Sequence, residues 1–273
     1  MWLKCWILVC LLWIAGCTHV NHLRDAQDSF SRAAEAEHRA LFSARDGSFA
    51  SRTYATGGQD LGQISAGYAA ALNSLDALEG DSQAVAKLKN DRLYGNALAL
   101  RALAYWRLGR MDEARKSAAA ALANGLDPGS RDFALMTALP ALADNDSAHS
   151  EIHAAGGSKI ALDSILKKLN AAEAQLCTAD RSVAVDHPIR IYLALSALAA
   201  LRNVVAACDK QHPSEPVKSL ECFKGGEVKR DERAKAYHER LVREFKVDAS
   251  TLLPFVLGVP MATAAGANPC PRP

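Results

Sequence analysis

Apolar residues recur every three or four positions along most of this chain, and this spacing is what most constrains its fold. Alanine and leucine supply most of the apolar residues, and both are strong helix formers. Aromatic residues make up only 6% of the sequence. In one clear segment the apolar positions share a single helical face: Leu61, Ile64, Tyr68, Leu72, Leu75 and Leu78. The pattern predicts an all-α protein of antiparallel helical hairpins, arranged as an array or a bundle.

Glycine, proline and capping residues divide this pattern into helices. Helices are expected over residues 21–43, 61–78, from about 82 to 108 with an interruption near Gly95, and over 111–124, 158–177, 187–208 and 228–245. The glycine-containing segment 45–58 is predicted to be a loop. A helix over 130–144 should bend or end near Pro140, residues 228–245 should cover the outside of the protein, and 248–260 should form a short helix or a capping arm.

The composition describes a folded chain that carries no large charge of one sign. Hydrophobic residues make up 49% of the sequence, which argues against disorder. The 32 basic and 30 acidic residues are spread along the chain rather than gathered in blocks. Nucleic acid is therefore not an expected partner.

The N-terminus has the three parts of an export signal. A single basic residue, Lys4, precedes an apolar stretch from Trp6 to Ala15, and small residues follow. The stretch is too short to span a bilayer as a helix, which takes roughly 20 residues. Residues 1–16 are therefore predicted to be a cleaved signal peptide.

The end of this signal, Ile14-Ala15-Gly16-Cys17, resembles the bacterial lipobox. The resemblance implies that the Cys17 thiol receives a diacylglyceryl group, that cleavage falls between Gly16 and Cys17, and that three acyl chains, palmitate among them, anchor the protein. One chain alone gives only marginal binding. In that family an aspartate after the cysteine favours the inner membrane. Thr18 and His19 follow here, so the periplasmic face of the outer membrane is expected.

Four cysteines besides Cys17 remain in the mature chain, namely Cys177, Cys208, Cys222 and Cys270. An even number in an exported protein predicts two disulfides with three possible connectivities. Cys208 and Cys222 bracket a segment with two prolines and make a natural staple, and Cys177 with Cys270 would tie the tail to the body. A metal cluster is disfavoured because the sequence has no closely spaced cysteine pair.

Residues 98–128 resemble one tetratricopeptide repeat. The positions that define the repeat are Ala102, Tyr105, Gly109, Ala114 and Ala121. In such repeats small residues let two antiparallel helices approach closely, and the resemblance implies that Tyr105 fills the groove between one hairpin and its neighbour.

The match departs from the family at three positions. Ala118 stands where a large aromatic residue is usual, Arg101 replaces an apolar residue, and Pro128 falls slightly late. Weaker echoes around Ala26 and Ala71 leave open whether these are enlarged hairpins or accidents of an alanine-rich chain. We expect three segments: the signal over 1–16, tetratricopeptide-like hairpins over 17–128, and a C-terminal helical part over 129–273 that continues the same domain.

Residues 187–208 form the most apolar segment of the mature chain. Arg190 and Arg202 bracket only eleven uncharged residues there, which is too short a run for a membrane span. A central helix of a bundle is the expected role.

Candidate catalytic groups are sparse. His149 and His153 would share one face of a helix and could bind zinc, but Glu151 is one place too late for the zincin pattern and no third ligand is evident. His19 and His22 should be solvated, and Asp186-His187 reads as a helix start. The sequence has no nucleophile elbow, phosphate loop or dinucleotide fingerprint. An enzyme and a cofactor are therefore not expected, with a zinc hydrolase as the remote alternative.

Together these patterns predict an outer-membrane lipoprotein with a periplasmic helical domain that binds an envelope protein. By resemblance, its partner belongs to envelope assembly, secretion or pilus machinery. The alternative function is small-molecule binding in a pocket between the N-terminal hairpins and the apolar helix. That pocket would be lined by Tyr68, Tyr105, Trp106 and Tyr192.

Overall fold

The computed structural model describes residues 18–43, 60–225, 229–263 and 270. Within these ranges the regular secondary structure is entirely helical, so the predicted all-α class is confirmed. The helices are α1 Thr18–Ser43, α2 Asp60–Gly80, α3 Ser82–Asn90, α4 Tyr94–Arg107, α5 Met111–Ala123, α6 Arg131–Ala154, α7 Lys159–Arg181, α8 Ile189–Gln211, α9 Pro216–Lys224, α10 Arg230–Arg243 and α11 Ala249–Val256. The loop predicted over 45–58 lies outside the described residues.

The described residues form two compact units that divide between Leu126 and Asp127. Unit 1 contains α1 to α5, and unit 2 contains α6 to α11. The division falls beside the predicted one after Pro128. That both parts belong to one continuous domain stays a prediction.

Short polar segments end the helices of unit 1. The Asp81 carboxylate accepts backbone N–H groups of Gln83 at 2.9 Å and Ala84 at 3.2 Å, and so caps the start of α3. The predicted helix over 82–108 is interrupted at residues 91–93, where Arg92 has a φ of 57°. The interruption expected near Gly95 is therefore present, two residues before this glycine, and Gly95 itself lies in the first turn of α4.

Unit 1 is built by packing each helix on the next. Helix α1 packs along α2, α2 packs on α4, and α4 packs on α5. The Phe30 and Tyr68 rings lie 5.2 Å apart between α1 and α2. The larger buried apolar cluster of this unit consists of Leu23, Ala26, Leu75, Leu78, Ala84, Leu88 and Ala97.

The close approach of α4 to the end of α5 depends on Gly95. A Cβ at this position would lie 2.9 Å from the carbonyl oxygen of Asn124 and 3.1 Å from the backbone nitrogen of Leu126. These are backbone atoms, which cannot move aside as the end of a side chain can. A residue without a Cβ is therefore required here.

Gly95→Ala is expected to lower the free energy of unfolding of unit 1 by about 1–3 kcal/mol, because the added methyl group overpacks this contact. Gly62→Ala in α2 is the matched control: a Cβ there meets no atom within 4 Å. The control should gain up to about 1 kcal/mol of helix propensity. Trp106 is the only tryptophan after Trp13, so its fluorescence during urea unfolding of the signal-free chain reports unit 1. Equal stabilities of the two variants would contradict the close approach.

Helix α8 is the centre of unit 2, since α6, α7, α9, α10 and α11 all pack against it. Among the described residues it is also the helix whose length and apolar composition would allow a membrane crossing. The rest of the protein buries 56% of its most apolar window. This burial agrees with the interpretation of 187–208 as a core helix.

Helix α6 runs through Pro140 without ending, against one of the two outcomes expected for that proline. Proline removes one backbone donor from the helix, but the surrounding packing is dense. Ala138, Leu139 and Ala141 are fully buried, and the Gln175 side chain of α7 donates to the Thr137 carbonyl at 2.9 Å. Tertiary contacts therefore hold the helix together across the proline.

Candidate functional site

The predicted lipid-anchor site, Gly16 and Cys17, lies outside the described residues. Helix α1 begins at Thr18, the residue directly after Cys17. A lipid on Cys17 would therefore be attached next to a helix of unit 1 with no intervening linker. The signal peptide and its lipidation stay predictions.

The residues that define the predicted repeat lie on the α4–α5 hairpin. Ala102, Ala114 and Ala121 are each fully buried, and the helices α4 and α5 that carry them pack on each other. Gly109 has a φ of 75° in the turn between them, a conformation that suits glycine. The hairpin thus uses small side chains to bring two helix backbones close together.

The aromatic residues of this hairpin differ in burial. Tyr105 is half-buried, and the Arg110 guanidinium lies 4.5 Å from its ring centroid. Trp106 is the buried ring, with 4% of its surface exposed, and Arg107 lies over it at 4.5 Å. Ala118, which replaces the usual large aromatic residue, is 1% exposed. The large buried ring of this hairpin is therefore contributed by α4.

Arg101, the second departure from the repeat pattern, forms the centre of a charged cluster on unit 1. Its guanidinium pairs with Asp76 at 2.8 Å and Glu79 at 3.0 Å, and its side chain is 13% exposed. Tyr94 lies close by, and burial followed by the Glu79 charge raises the pKa of its phenol. The Lys89 ammonium lies 5.1 Å from the Tyr94 ring centroid. These five residues are called the Arg101 cluster below.

Within unit 2 the cysteines form the two expected disulfides, Cys177–Cys270 and Cys208–Cys222. The predicted pairing is confirmed. A loop connects two helices between these cysteines: α8 ends at Gln211 and α9 begins at Pro216, so that Cys222 lies on α9. For sequence separations of 93 and 14 residues, the chain-entropy account gives about 4.7 and about 3 kcal/mol of stabilisation.

The most extensive polar arrangement in the described part of unit 2 joins α7 to α10. Four residues of α7 face four residues of α10, and each facing pair is sixty positions apart in sequence. Because the offset is constant, the two helices run in the same direction. We call this arrangement the polar ladder. Its rungs are Asn170 with Arg230, Glu173 with Arg233, Cys177 with Tyr237, and Asp180 with Arg240.

The rung at Asp180 is a buried charge cluster. Arg240 donates to the two carboxylate oxygens at 2.9 and 3.2 Å, and Arg190 of α8 donates to them at 2.9 and 2.8 Å. All three residues are at most 5% exposed. Burial by itself raises the pKa of Asp180, but the hydrogen bonds and charges of the two arginines outweigh it and hold that pKa below its usual 3.8.

At the Glu173 rung the pKa of the carboxyl group is shifted in the opposite direction from that of Asp180. The carboxylate is 1% exposed and pairs with Arg233 at 2.8 Å. Burial raises its pKa above the usual 4.5, and the charge of Arg233, which is 27% exposed, only partly compensates. The ionised carboxylate is therefore an energetic cost at neutral pH.

Tyr237 connects these two rungs to the Cys177–Cys270 disulfide. Its hydroxyl lies 3.1 Å from the sulfur of Cys177 and 3.4 Å from that of Cys270. The sulfurs of a disulfide have no hydrogen, so the hydroxyl is the donor. Burial raises the pKa of this phenol well above 10.0, and the Glu173 charge adds to the rise. Tyr237 therefore keeps its proton at the centre of the ladder.

The remaining rung fixes the start of α10. Arg230 donates to Asn170 Oδ1 at 3.1 and 3.0 Å. It also donates to the carbonyls of Cys222 and Phe223 at 3.0 and 2.8 Å, at the end of α9. A cation at this position satisfies carbonyls that a helix C-terminus leaves without partners.

The ladder corrects the expectation that residues 228–245 form an external cover. Arg230, Tyr237 and Arg240 are at most 5% exposed, because Arg240 pairs with Asp180 and Arg230 donates to Asn170 and to two carbonyls at the end of α9. Sequence analysis missed these residues, although both helices carry polar residues at successive spacings of three, four and three. In α10 this stripe is mainly basic, and in α7 it is acidic or uncharged. Two matching stripes of complementary charge were the available signal.

The predicted catalytic candidates lie apart from the ladder. His149 and His153 are exposed on α6. The part of the chain that the structure describes contains no group of three or more potential metal ligands. His187 accepts the backbone N–H of Ile189 at 3.1 Å through Nδ1, which is the role of a residue that starts a helix.

The aromatic residues of the alternative pocket lie in different units. Tyr68 is buried between α1 and α2, where its hydroxyl donates to Glu37 at 2.5 Å. Tyr105 and Trp106 also lie in unit 1, whereas Tyr192 lies on α8 of unit 2 and is 36% exposed. The small-molecule pocket stays a prediction.

No protein-family model, no curated protein and no solved structure matches this chain.

Asp180→Asn is expected to destabilise unit 2 by about 3–5 kcal/mol at pH 7, because it leaves Arg190 buried without its counter-charge and leaves Arg240 with only Glu244, a partner at 3.4 Å that is 59% exposed. Glu173→Gln should cost less than about 1 kcal/mol, since it also removes an unfavourable buried charge and Arg233 can reach water. Urea unfolding followed by far-ultraviolet circular dichroism measures both, with Trp106 fluorescence as the reporter of unit 1. Equal losses in the two variants would contradict this electrostatic account.

Asp180 and Glu173 should make opposite contributions to the pH dependence of the stability of unit 2. The contribution of Asp180 is complete above its usual pKa of 3.8 and is lost as the pH falls through its lowered pKa. The cost of Glu173 is relieved as the pH falls through its raised pKa. The stability difference between Asp180→Asn and the unmodified protein should therefore shrink below pH 3.8.

Proposed function

We propose that this protein is a lipid-anchored lipoprotein on the periplasmic face of the outer membrane, where it serves as a non-enzymatic protein-binding scaffold in envelope assembly or secretion. The observation that carries the proposal is the α4–α5 hairpin. Its tight alanine packing, with Gly109 in the turn, is the geometry with which helical repeats build surfaces for partner proteins.

Two features support the location. The sequence through Cys17 resembles a lipobox, and the four remaining cysteines form two disulfides. Disulfides persist in oxidising compartments such as the bacterial periplasm. With α1 beginning at Thr18, the anchor would hold unit 1 close to the membrane surface.

The Arg101 cluster is the surface that we propose for the partner. It combines both signs of charge with an aromatic ring, and its members come from three helices of unit 1. Among the described residues, Nε of Arg101 is buried without a hydrogen-bond partner. Packing therefore holds the Arg101 guanidinium in its ion pairs with Asp76 and Glu79. Charged groups with a fixed position favour one orientation of the partner and so give specificity in binding.

The anchor makes the first prediction of this function. Membrane-purified protein should begin at Cys17 and carry three acyl chains, detected by intact mass and by sequencing of the N-terminal peptide. The Cys17→Ser variant should lack the acyl mass and retain residues 1–16, because processing follows lipidation in this class of protein. A mature N-terminus elsewhere, with an unmodified Cys17, would contradict the anchor.

The partner makes the second prediction. Crosslinking in intact cells, followed by affinity purification, should recover one recurrent envelope protein with the anchored form and lose it with Cys17→Ser. Arg101→Leu should reduce its recovery at least tenfold, because the variant removes the ion pairs with Asp76 and Glu79.

Arg115→Leu is the matched control for this experiment. Arg115 lies on α5 of the same unit, and its partner Asp112 is 87% exposed. The control therefore also removes an arginine and its ion pair, but it changes no member of the Arg101 cluster. Both variants should keep the Trp106 unfolding transition. Equal recovery with Arg101→Leu and Arg115→Leu would exclude the Arg101 cluster, and recovery of no envelope protein would overturn the scaffold function.

A further inference from the structure

The C-terminal arm of unit 2 consists of residues 229–263 together with Cys270. Its helix α10 packs on α8 and faces α7 through the polar ladder, and α11 packs on α8 and α10. After α11 the chain returns to the start of α10, where the Ala262 N–H donates to the Asp231 carbonyl at 3.2 Å. The arm then reaches α7 through the Cys177–Cys270 disulfide.

The attachment of the arm to α7 is polar and covalent. Three rungs of the ladder use arginines of α10, and the fourth contains the disulfide and Tyr237. A buried ion pair contributes little net stability, because desolvation offsets the attraction between its charges. The disulfide is therefore the strongest single attachment between the arm and α7.

The arm also has apolar contacts, but they are few. Leu241 and Leu252 are fully buried, Tyr237 is 1% exposed and Val259 is 7% exposed. The other buried side chains of α10 are two alanines and two arginines. Each alanine methyl contributes only about as much as one buried CH2 group.

The rest of unit 2 has a hydrophobic core and a disulfide of its own. Helices α6, α7 and α8 pack on one another and bury large side chains such as Leu139, Leu169 and Leu193. The Cys208–Cys222 disulfide joins α9 to α8 without involving the arm. Loss of the arm would therefore leave three packed helices and one disulfide in place.

We infer that the Cys177–Cys270 disulfide is a redox latch, whose reduction by a dithiol releases the C-terminal arm from α7 while α6, α7 and α8 stay folded. A thiolate of the dithiol attacks one sulfur, a mixed disulfide forms, and the second thiol of the reductant resolves it. The products are two cysteine thiols in the protein and the disulfide of the reductant. Oxidation by a disulfide of suitable potential closes the latch again.

Amide hydrogen exchange on the mature full-length chain tests this inference. In the Cys177→Ser/Cys270→Ser variant, exchange in α10 and α11 should rise at least tenfold, while exchange in α6, α7 and α8 stays within twofold of the unmodified protein. The matched control is Cys208→Ser/Cys222→Ser, which also removes one disulfide of unit 2. In the control α10 and α11 should keep their protection.

Two outcomes of this experiment would overturn the latch. Unchanged protection of α10 and α11 in the first variant would show that the ladder holds the arm without the disulfide. A parallel loss of protection in α6, α7 and α8 would show that the disulfide staples the whole unit.

The unmodified protein provides a second test that does not depend on folding of a variant. Treatment with dithiothreitol, followed by alkylation and mass spectrometry, should label Cys177 and Cys270 while α6, α7 and α8 remain protected from exchange. Reoxidation should restore protection of α10 and α11. Labelling of these cysteines only at the rate of complete unfolding of unit 2 would overturn the latch.

Discussion

Close contact between helices at alanine and glycine is the constraint on which both units depend. Alanine has a single methyl group beyond the backbone, so two helices that meet at alanines must bring their backbones near each other to exclude water. In the α4–α5 hairpin, Ala102, Ala114 and Ala121 are fully buried. Gly95 extends this contact to the backbone around Asn124. The small core residues thus determine where the helices cross.

The small size of the buried side chains also explains why unit 2 uses polar and covalent links between its helices. A buried alanine removes little apolar surface from water, and the hydrophobic contribution scales with that surface. Helix α10 buries mainly alanines and arginines. The polar ladder fixes the register of α10 on α7, because each arginine of α10 in the ladder pairs with one particular residue of α7. The disulfide at Cys177 then adds stability that the alanine contacts cannot supply.

Much of the fold could be predicted from sequence because it rests on local signals. The 3.6-residue period located α2, α5 and α7, and the start expected at about residue 82 agrees with α3, which Asp81 caps. Of the two outcomes expected at Pro140, an end of the helix is wrong, because packing on neighbouring helices outweighs the local preference for ending the helix. Ile160, an apolar residue near the start of the helix expected over 158–177, is 85% exposed, since a residue at the start of a helix can extend past its neighbours.

Sequence alone determined the helical class and a preferred pairing of Cys177, Cys208, Cys222 and Cys270, and it predicts an export signal whose end resembles a lipobox at Cys17. These properties follow from composition, local spacing and the chemistry of single residues. Only the tertiary structure decided that Asp180 is shared by Arg190 and Arg240, and that Tyr237 contacts the Cys177–Cys270 disulfide. These contacts join residues ten to sixty positions apart. Their register depends on how whole helices pack, and a sequence pattern records only which face of each helix is polar.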